Sequence, residues 1–273
     1  MNATHWSRMG QLWRFVGPPL RPSAQDIAVF QQAISTWYSV HQRPPRALIL
    51  GVTPELHSLQ WPTGTNLRAL DSSAQMIEQV WPGDKTAAMV GSWTSMPLAA
   101  DSVDVVVCDG GFGMLPYPDG QAELLAELRR VISLGGIFAV RLFTPRNRTG
   151  STEQIFDKLA KGQIASLDAL KLYLWGAMHG DAAQGVQPRM VVAKILEVCG
   201  DFDRLAADHG WALEHVRALE LHLGSQTSYY LTEATEVIRM ACSDAGGFEL
   251  SGKVEPDYEL GPCCPIVTLR RKG

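Results

Sequence analysis

The sequence predicts an α/β fold, a mostly parallel seven-stranded sheet with helices on both faces, and three observations carry that expectation. An apolar run, Ala47-Leu48-Ile49-Leu50, breaks at Gly51, and a second strand-like run ends at Asp71, 20 positions further on. From Ala47 to Thr144, apolar strands alternate with helical stretches and are punctuated by Gly or Pro, the rhythm of parallel strands joined by crossover helices. The chain then finishes on Phe248 to Val254 and Pro265 to Arg270, two strands joined by a short turn-rich link, which predicts a closing antiparallel hairpin.

Each element has a local reason. Residues 1 to 44 read as an N-terminal helical lid segment: Trp6, Trp13 and Phe15, the proline-studded Gly17 to Ser23, then a helix over Gln25 to Val40 with Ser23 as its N-cap. Residues 45 to 273 read as the main domain. Its parallel strands are expected at Ala47 to Leu50, Asn66 to Leu70, Ala87 to Val90, Val103 to Cys108 and Gly136 to Leu142. Asp104 to Cys108 is nearly all valine, as suits a central strand buried on both faces. Helices are expected at Ser73 to Val80 and Gln121 to Ile132, the second stopped by Leu134-Gly135-Gly136 as a left-handed cap. After Pro145 the rhythm changes, because Ser151 to Leu174 and Val191 to His209 read as helices with no parallel strand between them. A helical insertion is therefore expected at about 150–225, followed by a last helix over Thr232 to Ser243.

Bulk properties exclude several function classes. With 24 basic against 28 acidic residues the formal charge is −4, which gives neither nucleic acid nor an anionic membrane an electrostatic footprint. No apolar run approaches the roughly 18 residues that cross a bilayer, and the N-terminus lacks the apolar stretch of a signal peptide. The five cysteines show no CxxC spacing, and strand alternation would point Cys263 and Cys264 to opposite faces. They read as reduced thiols, with the cytoplasm as the expected location. The histidines show no metal-ligand spacing, so no metal is expected.

The chemistry is expected at the first two strand ends. A residue without Cβ at Gly51 lets backbone N–H groups approach a ligand closely at the carboxyl edge of the sheet, although an ordinary strand-to-helix turn would also use glycine. A carboxylate at Asp71 can accept hydrogen bonds from both hydroxyls of a ribose, and it can equally cap the helix that follows.

Beyond that pair, "GSWTSMPLAADSVDVVVCDGG" and "LRRVISLGGIFAVRLF" resemble class I S-adenosylmethionine-dependent methyltransferases over about residues 46 to 144 and the closing strands. The resemblance implies a Rossmann-like fold, S-adenosylmethionine as cofactor, and methyl transfer to a small-molecule acceptor by in-line displacement. It implies that Asp71, with Ser72 beside it, holds the ribose. It also sets Ser92 where the family commonly has an adenine-binding aspartate, with Trp93 either stacked on the adenine or packed in the core. Asp109 and Gly110 follow the fourth strand, from which the family reaches the methionine end of the cofactor and the acceptor. Asp109 is thus the candidate for orienting or deprotonating the substrate, or else a plain turn residue. The chain departs from the family at the first glycine motif, where Thr53 and Glu55 stand in for the second and third glycines. Glu55 could there pair with the cofactor's ammonium group or sulfonium.

In-line displacement depends chiefly on alignment and on excluding water, so walls matter as much as acids and bases. Walls are expected from Trp6, Trp13, Leu20 and Arg21 before the first strand, and from Tyr173, Trp175, Met178 and His179 in the insertion, with helix packing as the competing use of these residues. The insertion could also present a homodimer face. Two other functions use similar elements: a nicotinamide-dependent oxidoreductase, which lacks its three-glycine turn here, and a non-catalytic scaffold that has kept only the sheet.

Overall fold

In the computed structural model, residues 10–145 and 150–273 are described. One seven-stranded sheet runs in the order β3-β2-β1-β4-β5-β7-β6, with β1 (Arg46–Leu50), β2 (Asn66–Asp71), β3 (Ala88–Val90), β4 (Val103–Asp109), β5 (Ile132–Arg141), β6 (Phe248–Val254) and β7 (Ile266–Arg271). The first five pair in parallel, while β7 runs antiparallel to both β5 and β6. The expected sheet and its closing hairpin are therefore present. β4 lies between β1 and β5, and Val105, Val106 and Val107 are wholly buried, which is why that strand tolerates so little polarity.

Helices cover both faces. On one side α1 (Ala24–His41), α2 (Pro54–His57) and α3 (Ala74–Val80) bury Phe30, Leu56 and Met76 against Ile49, Ala69 and Val107. On the other, α4 (Asp119–Val131) and α11 (Ala234–Cys242) bury Leu124, Leu128 and Val237 against Leu48, Val106 and Phe138. Ser23 caps α1 as expected: its side chain accepts from Asp26 N and Asp26 returns the bond, a reciprocal box worth roughly 0.5–2 kcal/mol.

Two expectations need correction. The glycines after α4 do not cap that helix, because β5 already begins at Ile132 and runs through them. Gly135 takes φ +74° at the point where the register on β4 shifts between Val103 and Val105, so its left-handed backbone serves an irregularity in the strand. The two long helices of the insertion are each broken. Between β5 and α11 run α5 (Thr152–Ala160), α6 (Leu167–Met178), α7 (Pro188–Cys199), α8 (Phe202–His209), α9 (Leu213–Arg217) and α10 (Glu220–Leu223). Gly162 (φ +66°) and Gly200 (φ +87°) end α5 and α7, and Ser166 and Asp201 cap the next helices by accepting from Ala169 N and Arg204 N. These helices form a third apolar cluster around Leu170, Leu174 and Ile195, joined by Phe143, Tyr229, Leu260 and Cys264.

Candidate active site

The carboxyl ends of β1, β2 and β4 converge on a cavity of about 960 Å³, mouth included, lined among others by Gly51, Thr53, Asp71, Ser72, Trp93, Asp109 and Gly110. Gly51 takes φ +91°, and a Cβ there would stand 3.7 Å from the Trp93 ring and 4.0 Å from Asp71 Oδ2. The carboxylate of residue 71 is thus turned toward the bare corner of residue 51. Its other oxygen, Oδ1, accepts from Ser73 N at 2.8 Å. The cap of α3 is Ser73, whose hydroxyl accepts from Met76 N, so Asp71 is not spent as an N-cap. Burial pushes the Asp71 carboxyl up to about 6, against the pull of the Ser73 amide.

The glycines that follow β4 serve a different purpose. A Cβ on Gly111 would lie 2.5 Å from the Trp93 ring, and one on Gly110 would lie 2.6 Å from Phe143. Both positions are hollowed to admit an aromatic ring. Trp93 donates its indole N–H to Leu70 O at 2.8 Å and is buried in the core cluster, so it forms the floor of the cavity between β1, β2 and β4. Ser92, in contrast, is not on the cavity wall; its hydroxyl hydrogen-bonds Thr94 at 3.1 Å.

Asp109 is held by a buried ion-pair network. Arg141 Nε donates to its Oδ1 at 2.5 Å, and Arg141 Nη1 reaches Pro19 O at 2.8 Å, Asp26 Oδ2 at 3.4 Å and Tyr258 Oη at 3.4 Å. Burial pushes the Asp109 carboxyl up, Arg141 pulls it down, and Asp26 and Glu55 add to the upward push. Glu55 ends on Arg21, with Nη2 to Oε1 at 2.5 Å, and Arg21 in turn lies over the Trp13 ring at 5.4 Å. The proline-rich segment 13–21 is therefore strapped to the sheet edge at two places, Pro19 and Arg21.

A third fastening comes from the insertion. Asp168 on α6 accepts from Gly17 N at 2.7 Å and from Lys171 Nζ at 2.7 Å, with His215 Nε2 at 3.7 Å. Despite its burial, Lys171, His215 and the Gly17 amide hold Asp168 down at about 2. Trp13 and Leu20 from the strap and Trp175 from the insertion reach the cavity. Arg21, Glu55, Tyr173 and His179 are not on its wall. Tyr173 is packed among the insertion helices, and His179 Nε2 accepts from Leu231 N at 3.1 Å. Trp6 lies outside the described residues.

Sequence reasoning missed Arg141, Asp26, Lys171, Phe143 and Tyr229. Arg141 carried the one available signal, a charged residue ending an otherwise apolar strand. Among the described residues no group of three or more His, Cys, Asp or Glu could hold a metal ion, and no helix is long and apolar enough to cross a membrane.

Comparison with known proteins places this edge in a family of folds. Residues 50–140 match a family model described as a methyltransferase domain. The chain has the class I S-adenosylmethionine-dependent methyltransferase fold. The CcbJ methyltransferase from Streptomyces caelestis superposes with a TM-score of 0.56 at 13% identity, covering 99% of each chain. The N-methyltransferase NodS from Bradyrhizobium japonicum WM9, in complex with S-adenosyl-L-homocysteine, does so with 0.52 at 10% identity, covering all of both chains. A Rhodobacter sphaeroides protein provisionally assigned as a zinc-dependent alcohol dehydrogenase also reaches 0.56, at 11% identity over the whole of both chains. At such identities the likeness is one of fold, and the chemistry resides in the site. No curated protein sequence matches this chain at a significant level. The methyltransferase-domain match supports methyl transfer as the general class of activity.

Proposed function

We propose that this protein transfers the methyl group of S-adenosylmethionine to a small-molecule acceptor. The observation that carries the reading is the pairing of Asp71 with Gly51 on the cavity wall: a carboxylate oxygen turned toward a left-handed glycine corner. These residues fit the cofactor, because a Cβ at residue 51 would intrude on the place where the ribose and the methionine chain would lie. Asp71 and Ser72 would hold the ribose, and Gly51 and Thr53 would line the ribose and methionine side. Bound S-adenosylmethionine supplies a sulfonium methyl that is already a strong electrophile.

The rest is alignment and exclusion of water. Asp109, fixed by Arg141, acts as a rigid acidic wall and not as a mobile base, and Trp93 sets the depth of the floor. Glu55, where the family has a glycine, is neutralised by Arg21 and kept off the wall, so the altered first motif does not place a charge in the cavity. That arrangement favours a working site over a non-catalytic scaffold. A nicotinamide enzyme is disfavoured by Pro54 and Glu55, which open α2 where a pyrophosphate would need bare backbone.

Calorimetric titration of the purified protein with S-adenosylmethionine tests the proposal. Saturable binding that is weakened at least tenfold in Asp71→Ala is expected. Absence of binding in the wild type, or unchanged affinity in the variant, refutes it.

A further inference from the structure

The cavity extends beyond the Gly51–Asp71 corner into a chamber walled by rings. Trp175 and Tyr229 meet edge to face with centroids 4.7 Å apart, Phe143 meets Trp175 in the same way at 6.3 Å, and Trp13 joins them from the strap. Such a wall favours a flat, apolar guest, each well-formed aromatic contact being worth roughly 0.5–1.5 kcal/mol beyond its buried area.

Charge makes the choice sharper. Lys171 is the one lysine or arginine among the described residues on the wall, and its Nζ lies 2.7 Å from Asp168 Oδ1. Behind the wall, Arg21 is matched by Glu55 and Arg141 by Asp109. A carboxylate or phosphate entering the chamber would lose its hydration and meet a cation already matched by a carboxylate, a combination that buried charges do not tolerate. Resting on the methyltransferase reading above, the geometry points to a neutral aromatic acceptor held in the Trp13–Phe143–Trp175–Tyr229 chamber, with the Lys171–Asp168 pair acting as the filter that rejects anionic analogues.

The filter can be opened deliberately. Asp168→Asn keeps an oxygen for the Gly17 amide but removes the charge that occupies Lys171. Equilibrium dialysis without cofactor, using 2-naphthalenemethanol and 2-naphthoate as probes of one ring and two charges, reads the result. The wild type is expected to bind the alcohol at least tenfold more tightly than the naphthoate. Asp168→Asn should tighten naphthoate binding at least tenfold, and Lys171→Met in that background should take the gain away. Trp175→Leu, which leaves the ion pair in place, should weaken the alcohol at least fivefold and decides the matter with the wild-type ratio if Asp168→Asn does not fold. A smaller wild-type ratio, failure of either probe set to bind, or a folded Asp168→Asn without the gain overturns the proposal. S-adenosylmethionine affinity, measured separately, keeps the two readings apart: normal cofactor binding with no preference for the alcohol sinks the filter alone. A preserved preference without cofactor binding sinks the methyltransferase reading and leaves the chamber's selectivity standing.

Discussion

Asp71→Asn should make the protein more stable and less able to bind its cofactor. Burial raises the Asp71 carboxyl from 3.8 to about 6. A tenfold change in proton affinity corresponds to about 1.4 kcal/mol, so the ionised side chain destabilises the native state by at most about 3 kcal/mol. Solvent at the cavity mouth screens part of this and leaves about 1–2 kcal/mol. The native state holds the proton more tightly than the unfolded chain, so the penalty is fully present above about pH 6 and fades as pH falls toward 3.8. Asparagine keeps an acceptor for the Ser73 amide without the charge. For a domain of this size the melting temperature should rise by about 2–8 °C at pH 8, with the gain shrinking toward pH 4.5. Over the same change, a ribose would lose charge-assisted hydrogen bonds worth roughly 1.5–3 kcal/mol each, so S-adenosylmethionine affinity should fall by about tenfold to a hundredfold. Thermal unfolding followed by circular dichroism at the two pH values, beside calorimetric titration, reads both effects. A variant that melts lower than the wild type at pH 8, or a gain that does not depend on pH, would refute the reasoning.

Cofactor affinity should hold steady above pH 7 and drop by roughly tenfold for each pH unit below about 6, as Asp71 takes up its proton; equal Kd values at pH 5 and 7.5 would contradict it. Arg141→Met leaves Asp109 and Asp26 buried without their cation and should cost about 3–5 kcal/mol of stability in urea unfolding, so a loss under 1 kcal/mol would show that the network does not hold the edge together. Gly111→Ala drives a methyl into the Trp93 ring, where a Cβ would stand at 2.5 Å, and should destabilise by about 1–3 kcal/mol with a shift in tryptophan emission. Gly51→Ala has room for its Cβ, at 3.7 Å from the nearest atom, but must hold φ +91°. It should cost about 1–2 kcal/mol and lower cofactor affinity while leaving the emission spectrum unchanged, and an altered spectrum would show that Trp93 had moved.

The sheet was legible because its signals are local. Ala47 to Leu50 and Val103 to Cys108 are short apolar runs closed by Gly or Asp, and the observed strands begin or end within a residue of them. The same local reading failed at Leu134-Gly135-Gly136, where a glycine pair that usually stops a helix lies inside a strand, because pairing with β4 outweighed the turn preference. It failed again in the insertion, where the helices break at Gly162 and Gly200 and restart at the caps Ser166 and Asp201.

The candidate site was legible only in its first pair. Gly51 follows β1 and Asp71 ends β2, adjacent parallel strands whose ends are fixed by the spacing of one crossover, so sequence distance translates directly into proximity. Asp109 shares that edge, yet its state is set by Arg141, and Arg141 by Asp26 and Pro19, residues 115 and 122 positions away. Asp168 likewise takes the amide of Gly17 across 151 positions. No periodicity encodes such contacts, because they join separately formed elements only after the sheet exists to bring them together. They also share a consequence that no motif conveys: the charged side chain at each fastening, Arg141, Arg21 or Asp168, already has a partner of opposite charge in Asp109, Glu55 or Lys171. Asp71 is the carboxylate on the cavity wall that no lysine or arginine among the described residues neutralises. An acidic group in that condition, beside a corner without a side chain, is the reason the proposal seats the ribose there.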